Sequence, residues 1–158
     1  MKVEDYERSM GQAEYACFAE LVDILGLQSG VTASIGSPLG KPDSMTWKIA
    51  ELATGATTTF PAPAHHFFGR LDLFNRDRAM LQRWIMRLMM AFPANHAYNR
   101  DNAVRKAANV VHFRISPERG AVGDIRATTV EASNTGPVPT WMATVLFDVV
   151  FVTDPAGV

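Results

Sequence analysis

The sequence predicts an α+β domain, with two helices packed on one face of a mainly antiparallel sheet, in the order α-β-β-β-α-β-β-β. Three observations predict it. Apolar residues recur at three- and four-residue steps from Tyr6 to Leu25 and again from Leu81 to Phe92, as two amphipathic helices require. Other stretches alternate apolar and polar residues, as half-buried strands do. The chain has 158 residues, 47% of them apolar, which suits one packed domain over 1–158.

The first helix is expected over 3–27. Tyr6, Met10, Ala13, Cys17, Leu21 and Leu25 share one face. Glu4, Asp5 and Glu7 lie in the first turns, where the helix dipole favours them. Gly26 followed by Leu27 reads as a glycine C-cap with a hydrophobic contact behind it. Residues 31–35 (VTASI) suit a short strand, and GSPLGKPDS a loop. Met45, Trp47 and Ile49 then alternate with Thr46, Lys48 and Ala50, which is strand periodicity.

Residues 53–64, ATGATTTFPAPA, carry no charge, two prolines and several threonines. That composition cannot make a core helix and reads as a long loop or extended arm between strands, either leaving the body or folded back over the core. Loops of this length are usually functional or binding elements. A strand follows over 66–74, with Phe67, Gly69, Leu71 and Leu73 on one face and Phe68, Arg70 and Asp72 on the other. Asn75 is the expected N-cap of the second helix, with Asp77 in its first turn. Leu81, Trp84, Ile85, Leu88, Met89 and Phe92 form its apolar stripe, and Pro93 ends it.

Residues 94–108 are polar and read as a loop with at most one helical turn. VVHFRIS at 110–116 and VGDIRATTV at 122–130 read as a hairpin around the turn PERG. ASNTGPVP reads as a second loop, and WMATVLFDVVFVT at 141–153 as a central strand.

Composition and motifs narrow the chemistry. Fifteen Lys and Arg nearly cancel sixteen Asp and Glu, which argues against a protein that works by neutralising phosphates. The single cysteine, Cys17, cannot form an internal disulfide and sits in an apolar helical pattern. The N-terminus lacks the apolar core of a signal peptide, and no apolar stretch reaches the roughly 20 residues of a membrane span. His65 and His66 are adjacent and would point to opposite faces of a strand; with His96 and His112 elsewhere, no zinc-site spacing occurs. GxSxG and phosphate-loop patterns are missing, and no catalytic residue, metal or cofactor is predicted. Asp148 interrupts TVLFDVVFV, but alternate positions of a half-exposed strand are often polar.

The function-like signal lies in surfaces. The uncharged arm, with Thr57, Thr58, Thr59, Phe60, Pro61 and Pro63, is one candidate interface, and Pro137 and Pro139 in the loop at 133–139 are another. Arg76, Arg78, Arg83 and Arg87 read as helix-face arginines; Arg76, Arg83 and Arg87 are kept as candidates for salt bridges to a neighbouring subunit.

With these elements in order, the chain resembles the tail terminator, or tail completion, proteins of long-tailed bacteriophages and related neck proteins. The residues that carry the resemblance are AEYACFAELVDILGL, the strand-to-helix unit GRLDLFNRDRAMLQRWIMRLMM, and the closing strand WMATVLFDVVFVT. Two features depart from the pattern: the long arm around Thr57–Ala64, and an extra hairpin strand before the last strand. The resemblance implies a non-enzymatic virion protein, assembled in the host cytoplasm, whose copies form a ring, typically six-fold. The ring would cap the tail tube, stop its polymerisation and meet a head-tail connector or head-completion protein. DNA would pass through its lumen without sequence recognition. The alternative reading is a small α+β enzyme or ligand-binding domain with a pocket between helices and sheet, using Asp148, His112 and Asp72. A generic oligomerisation module is a third.

Overall fold

The computed structural model describes residues 3–37, 40–52, 64–92, 108–116, 124–132 and 136–153. The expected arm at 53–63, Pro93, the polar stretch to 107 and the turn at 117–120 lie outside the described residues. Helix α1 spans Val3–Leu25 and buries Ala13, Ala16, Cys17, Leu21 and Leu25, the face that the periodicity marks. Gly26 ends it at φ 56°, with its N–H donating to Val22 O at 3.2 Å. The guanidinium of Arg87 donates to the Leu25 carbonyl, one of the helix's unsatisfied last acceptors. The positive φ favours glycine there, whereas an added Cβ would meet only the movable end of Arg87, 2.9 Å away at Nη1.

Strand β1 (Thr32–Ile35) runs parallel to β2 (Ser44–Leu52), and all other pairings are antiparallel. β2 pairs with β3 (Ala64–Asn75), and β3 pairs with β6 (Gly136–Val152). Helix α2 (Arg78–Ala91) lies between β3 and β4 in sequence. β4 (Val110–Ile115) and β5 (Arg126–Ala132) do not form the expected hairpin. Both pair with β6: β4 opposite Phe147–Phe151, and β5 opposite Gly136–Met142. At Trp141 and Met142, β6 has β3 on one side and β5 on the other, so β4 and β5 share one edge, end to end. A 17-residue strand is about three times the usual length, which leaves room for two short partners along one edge.

β6 begins at Gly136 rather than 141, so Pro137 and Pro139 lie in a strand, not in the expected loop. Residues 133–135 lie outside the described residues. The register explains why the prolines are tolerated. Ser116 N–H donates to Leu146 O, and Val152 N–H to Asn109 O, so even-numbered residues of β6 aim their backbone groups at the β4–β5 edge. The odd-numbered prolines therefore aim at the β3 edge, and β3 has already ended at Asn75 opposite Trp141. No ladder hydrogen bond is lost.

Both helices cover one face of the sheet, and all the buried apolar residues there form one cluster. Odd-numbered residues of β3 and β6 fill it, from Phe67 and Leu71 to Val145, Phe147 and Phe151. Asp77, not Asn75, caps α2: its Oδ1 accepts from Ala79 N–H at 2.9 Å. Asn75 instead closes β3, its Oδ1 accepting from Asp77 N–H at 2.8 Å. Arg76 precedes the helix, so it is not on the helix face. Leu81, Trp84, Ile85, Leu88 and Phe92 are buried, but Met89 is exposed because the helix turns it to the outer edge of the stripe.

Trp47 is the central piece of this core. Its ring packs edge-on against Phe113 and Phe147, at centroid distances of 5.9 and 5.7 Å, and its Nε1–H donates to the Glu14 carbonyl of α1 at 3.0 Å. The indole sits over Gly69, where an added Cβ would lie 2.0 Å from Trp47 Cη2. Glycine in mid-strand is normally a weakness, and here it is the notch that admits the indole. Gly69→Ala should force Trp47 out of place and cost about 1–3 kcal/mol, the range for overpacked cores. A urea denaturation midpoint equal to that of the wild type would contradict this.

Candidate interaction surface

The register assigns every polar candidate to a face. Adjacent His65 and His66 do part, as strand geometry requires. His65 lies on the helix side, its ring 4.7 Å from Tyr6 and 5.6 Å from Phe151. Burial there holds its pKa below the ordinary histidine value. His66 lies on the opposite face, which no helix covers among the described residues.

That uncovered face is a grid of side chains. β3 contributes His66, Phe68, Arg70, Asp72 and Phe74; β6 contributes Met142, Thr144, Leu146, Asp148 and Val150. β4 adds His112 and Arg114, and β2 adds Thr46 and Lys48. Asp148 is the deepest charge on it. Its side chain is 7% exposed, with Oδ1 3.6 Å from His66 Nε2 and Oδ2 3.5 Å from Arg114 Nε. These are close approaches rather than well-formed hydrogen bonds. Asp72 is held more firmly, accepting from Arg70 Nε at 3.0 Å and from Thr144 Oγ1 at 2.7 Å. Asp72 lies opposite Thr144, four residues along β6 from Asp148. That is roughly 13 Å at about 3.3 Å per residue, so the two carboxylates cannot act on one bond. Each acid has a basic neighbour: Arg70 beside Asp72, and Arg114 and His66 beside Asp148.

Asp148, His112 and Asp72 thus all face away from the helices. The space between helices and sheet is filled by fully buried Trp47, Trp84, Phe67, Phe113, Phe147 and Phe151. Among the described residues, no three His, Cys, Asp or Glu side chains converge to hold a metal ion. No helix among them is long and apolar enough to cross a membrane.

The proposed interface residues fall in separate places. Thr57, Thr58, Thr59, Phe60, Pro61 and Pro63 lie outside the described residues. Arg76 is locked to Asp43: its Nη2 lies 2.7 Å from Asp43 Oδ2 and its backbone N–H donates to Oδ1 at 3.0 Å. Burial raises the Asp43 pKa, but the hydrogen bonds and charge of Arg76 together outweigh that and hold it below its ordinary value. Arg87 joins α2 to the end of α1, and Arg83 is exposed. Pro137 and Pro139 are exposed on the free edge of the β5–β6 ribbon, which continues past the end of β3. Prolines on a free edge deny it to another strand. Sequence reasoning misses a further patch: Met86, Met89 and Met90 are all exposed on α2 beside Arg83. A run of methionines in one helix was the available signal, since a helix cannot bury all of them on one stripe.

No protein-family model matches the chain, and no curated protein matches it.

Two predictions follow from these charges. His65 binds its proton less readily folded than unfolded. Its contribution is therefore present above the unfolded value of about 6.5 and lost as pH falls through that range towards the folded pKa. His65→Phe should flatten the fall in stability between pH 8 and pH 5, and an unchanged pH profile in chemical denaturation would contradict this. On this face, Asp148→Val should lower stability modestly, because it leaves the part-buried His66 and Arg114 without their acidic partner. Arg114→Ala should lower stability by about 1 kcal/mol or less, Arg114 being partly exposed. A rise in stability in either variant, read from chemical denaturation, would contradict this.

Proposed function

We propose that this chain is a structural subunit of a bacteriophage tail, resembling the tail terminators. Its copies would close into a ring that caps the tail tube and offers a surface to the head-side connector or completion protein. The observation that supports this most is the closing β-unit. An extra hairpin strand is one of the sequence's two departures from the tail-terminator pattern. In the fold, β4 and β5 share one edge of β6 end to end, so they act as one interrupted strand of a closing pair. The order then reads helix, three strands with a long connection before the third, amphipathic helix and closing pair.

The surfaces agree with an assembling protein. Among the described residues no helix covers one sheet face, its acids have basic neighbours, and α2 exposes three methionines. A net charge of −1 suits a lumen that lets DNA pass without holding it. The ligand-pocket reading is weaker, because its polar candidates face away from the helices and a packed core occupies the space it needs.

Mixing the purified protein with growing tail tubes of the virus that encodes it tests the proposal. Tubes should stop lengthening and carry a ring at one end in negative-stain images. Tubes that grow unchanged, with no density added at either end, would contradict it.

A further inference from the structure

We infer that copies of this chain associate by seating the outer face of α2 from one copy on the outer face of α1 from another. The choice of a second copy as occupant rests on the assembly reading above. Charge complementarity is the first support. Between Arg78 and Ala91, α2 carries Arg78, Arg83 and Arg87 and no acid. Between Val3 and Leu25, α1 carries Glu4, Asp5, Glu7, Glu14, Glu20 and Asp23 against Arg8 alone. Glu4, Glu7 and Asp23 are exposed on α1 and Arg83 on α2, while Arg78 lies over the Trp141 ring and Arg87 is engaged with the Leu25 carbonyl.

The apolar residues match as well. Met86, Met89 and Met90 are 61%, 55% and 79% exposed, an unusual load for one turn of a surface helix. Arg83, Met86 and Met90 lie at helical spacing on one stripe. On α1, Val3, Glu7, Gly11 and Tyr15 form an i, i+4 stripe, with Val3 and Tyr15 also exposed. Both stripes therefore set charge beside apolar surface.

Gly11 is the second support. It sits in the helix interior, and a Cβ there would meet nothing within 4 Å. Its own chain gives no reason for glycine, which weakens a helix relative to alanine. Between Glu7 and Tyr15 it leaves a notch where another side chain or backbone can come close. An unbranched, flexible methionine suits such a notch.

A charge swap tests the contact. One variant carries Gln82→Glu and Arg83→Glu on α2; the other carries Glu7→Lys and Gln12→Lys on α1. All four positions are exposed, so both variants should fold, which circular dichroism checks. By native mass spectrometry, each variant alone should associate at least tenfold more weakly than wild type. Their equimolar mixture should recover assembly, because every α1–α2 contact in an alternating particle is again between opposite charges. Gly11→Leu should keep or raise the melting temperature while weakening association at least tenfold. A monomeric wild type, variants that assemble alone, a mixture that stays dissociated, or a Gly11→Leu protein that assembles normally would each overturn the contact. A two-copy particle obeying the swap would keep this contact and sink the ring. A ring insensitive to the swap would keep the ring and sink this contact.

Discussion

The close approach of Trp47 to Gly69 is the constraint on which the fold depends. The indole reaches from β2 over β3, meets Phe113 of β4 and Phe147 of β6, and hydrogen-bonds α1 through the Glu14 carbonyl. Five elements thus meet at one side chain. Glu14 adds a second tie: its carboxylate accepts from Ile49 N–H at 3.2 Å. β1 ends at Ile35 opposite Trp47, so Ile49 is the next donor on that edge and has no strand beside it. Burial raises the Glu14 pKa, and the hydrogen bond from Ile49 offsets this only in part.

Much of this was readable in the sequence, because it follows from local periodicity. The two faces of β3 and β6, the buried stripe of α1 and most of that of α2 obey period two or 3.6. What was hidden depends on partners far along the chain. The sequence of β4 and β5 does not say that both choose β6 over each other. Pro137 and Pro139 read as loop residues because their tolerance depends on which edge of β6 lacks a neighbour. Asn75 and Asp77 are both good caps, and only the end of β3 decides between them. Gly69 looked like one more small residue on an apolar face until the indole was placed above it.

The two faces of the molecule divide the work. The helix side holds the core, and its outer surface carries opposite charge on α1 and α2. On the sheet side, which no helix covers among the described residues, Asp72 and Asp148 have basic neighbours. Of the candidates read from the sequence, Arg76 and Arg87 serve the fold itself, through Asp43 and the Leu25 carbonyl. Arg83 and the three methionines of α2 stay exposed, as does Gly11 on α1.

The most direct measurement is sedimentation equilibrium of the purified chain over a wide concentration range. The expected result is a shift from the 17.3 kDa monomer to one closed multiple of that mass, six copies for the ring typical of tail terminators. A single 17.3 kDa species at every concentration, unchanged when tail tubes are added, would contradict it.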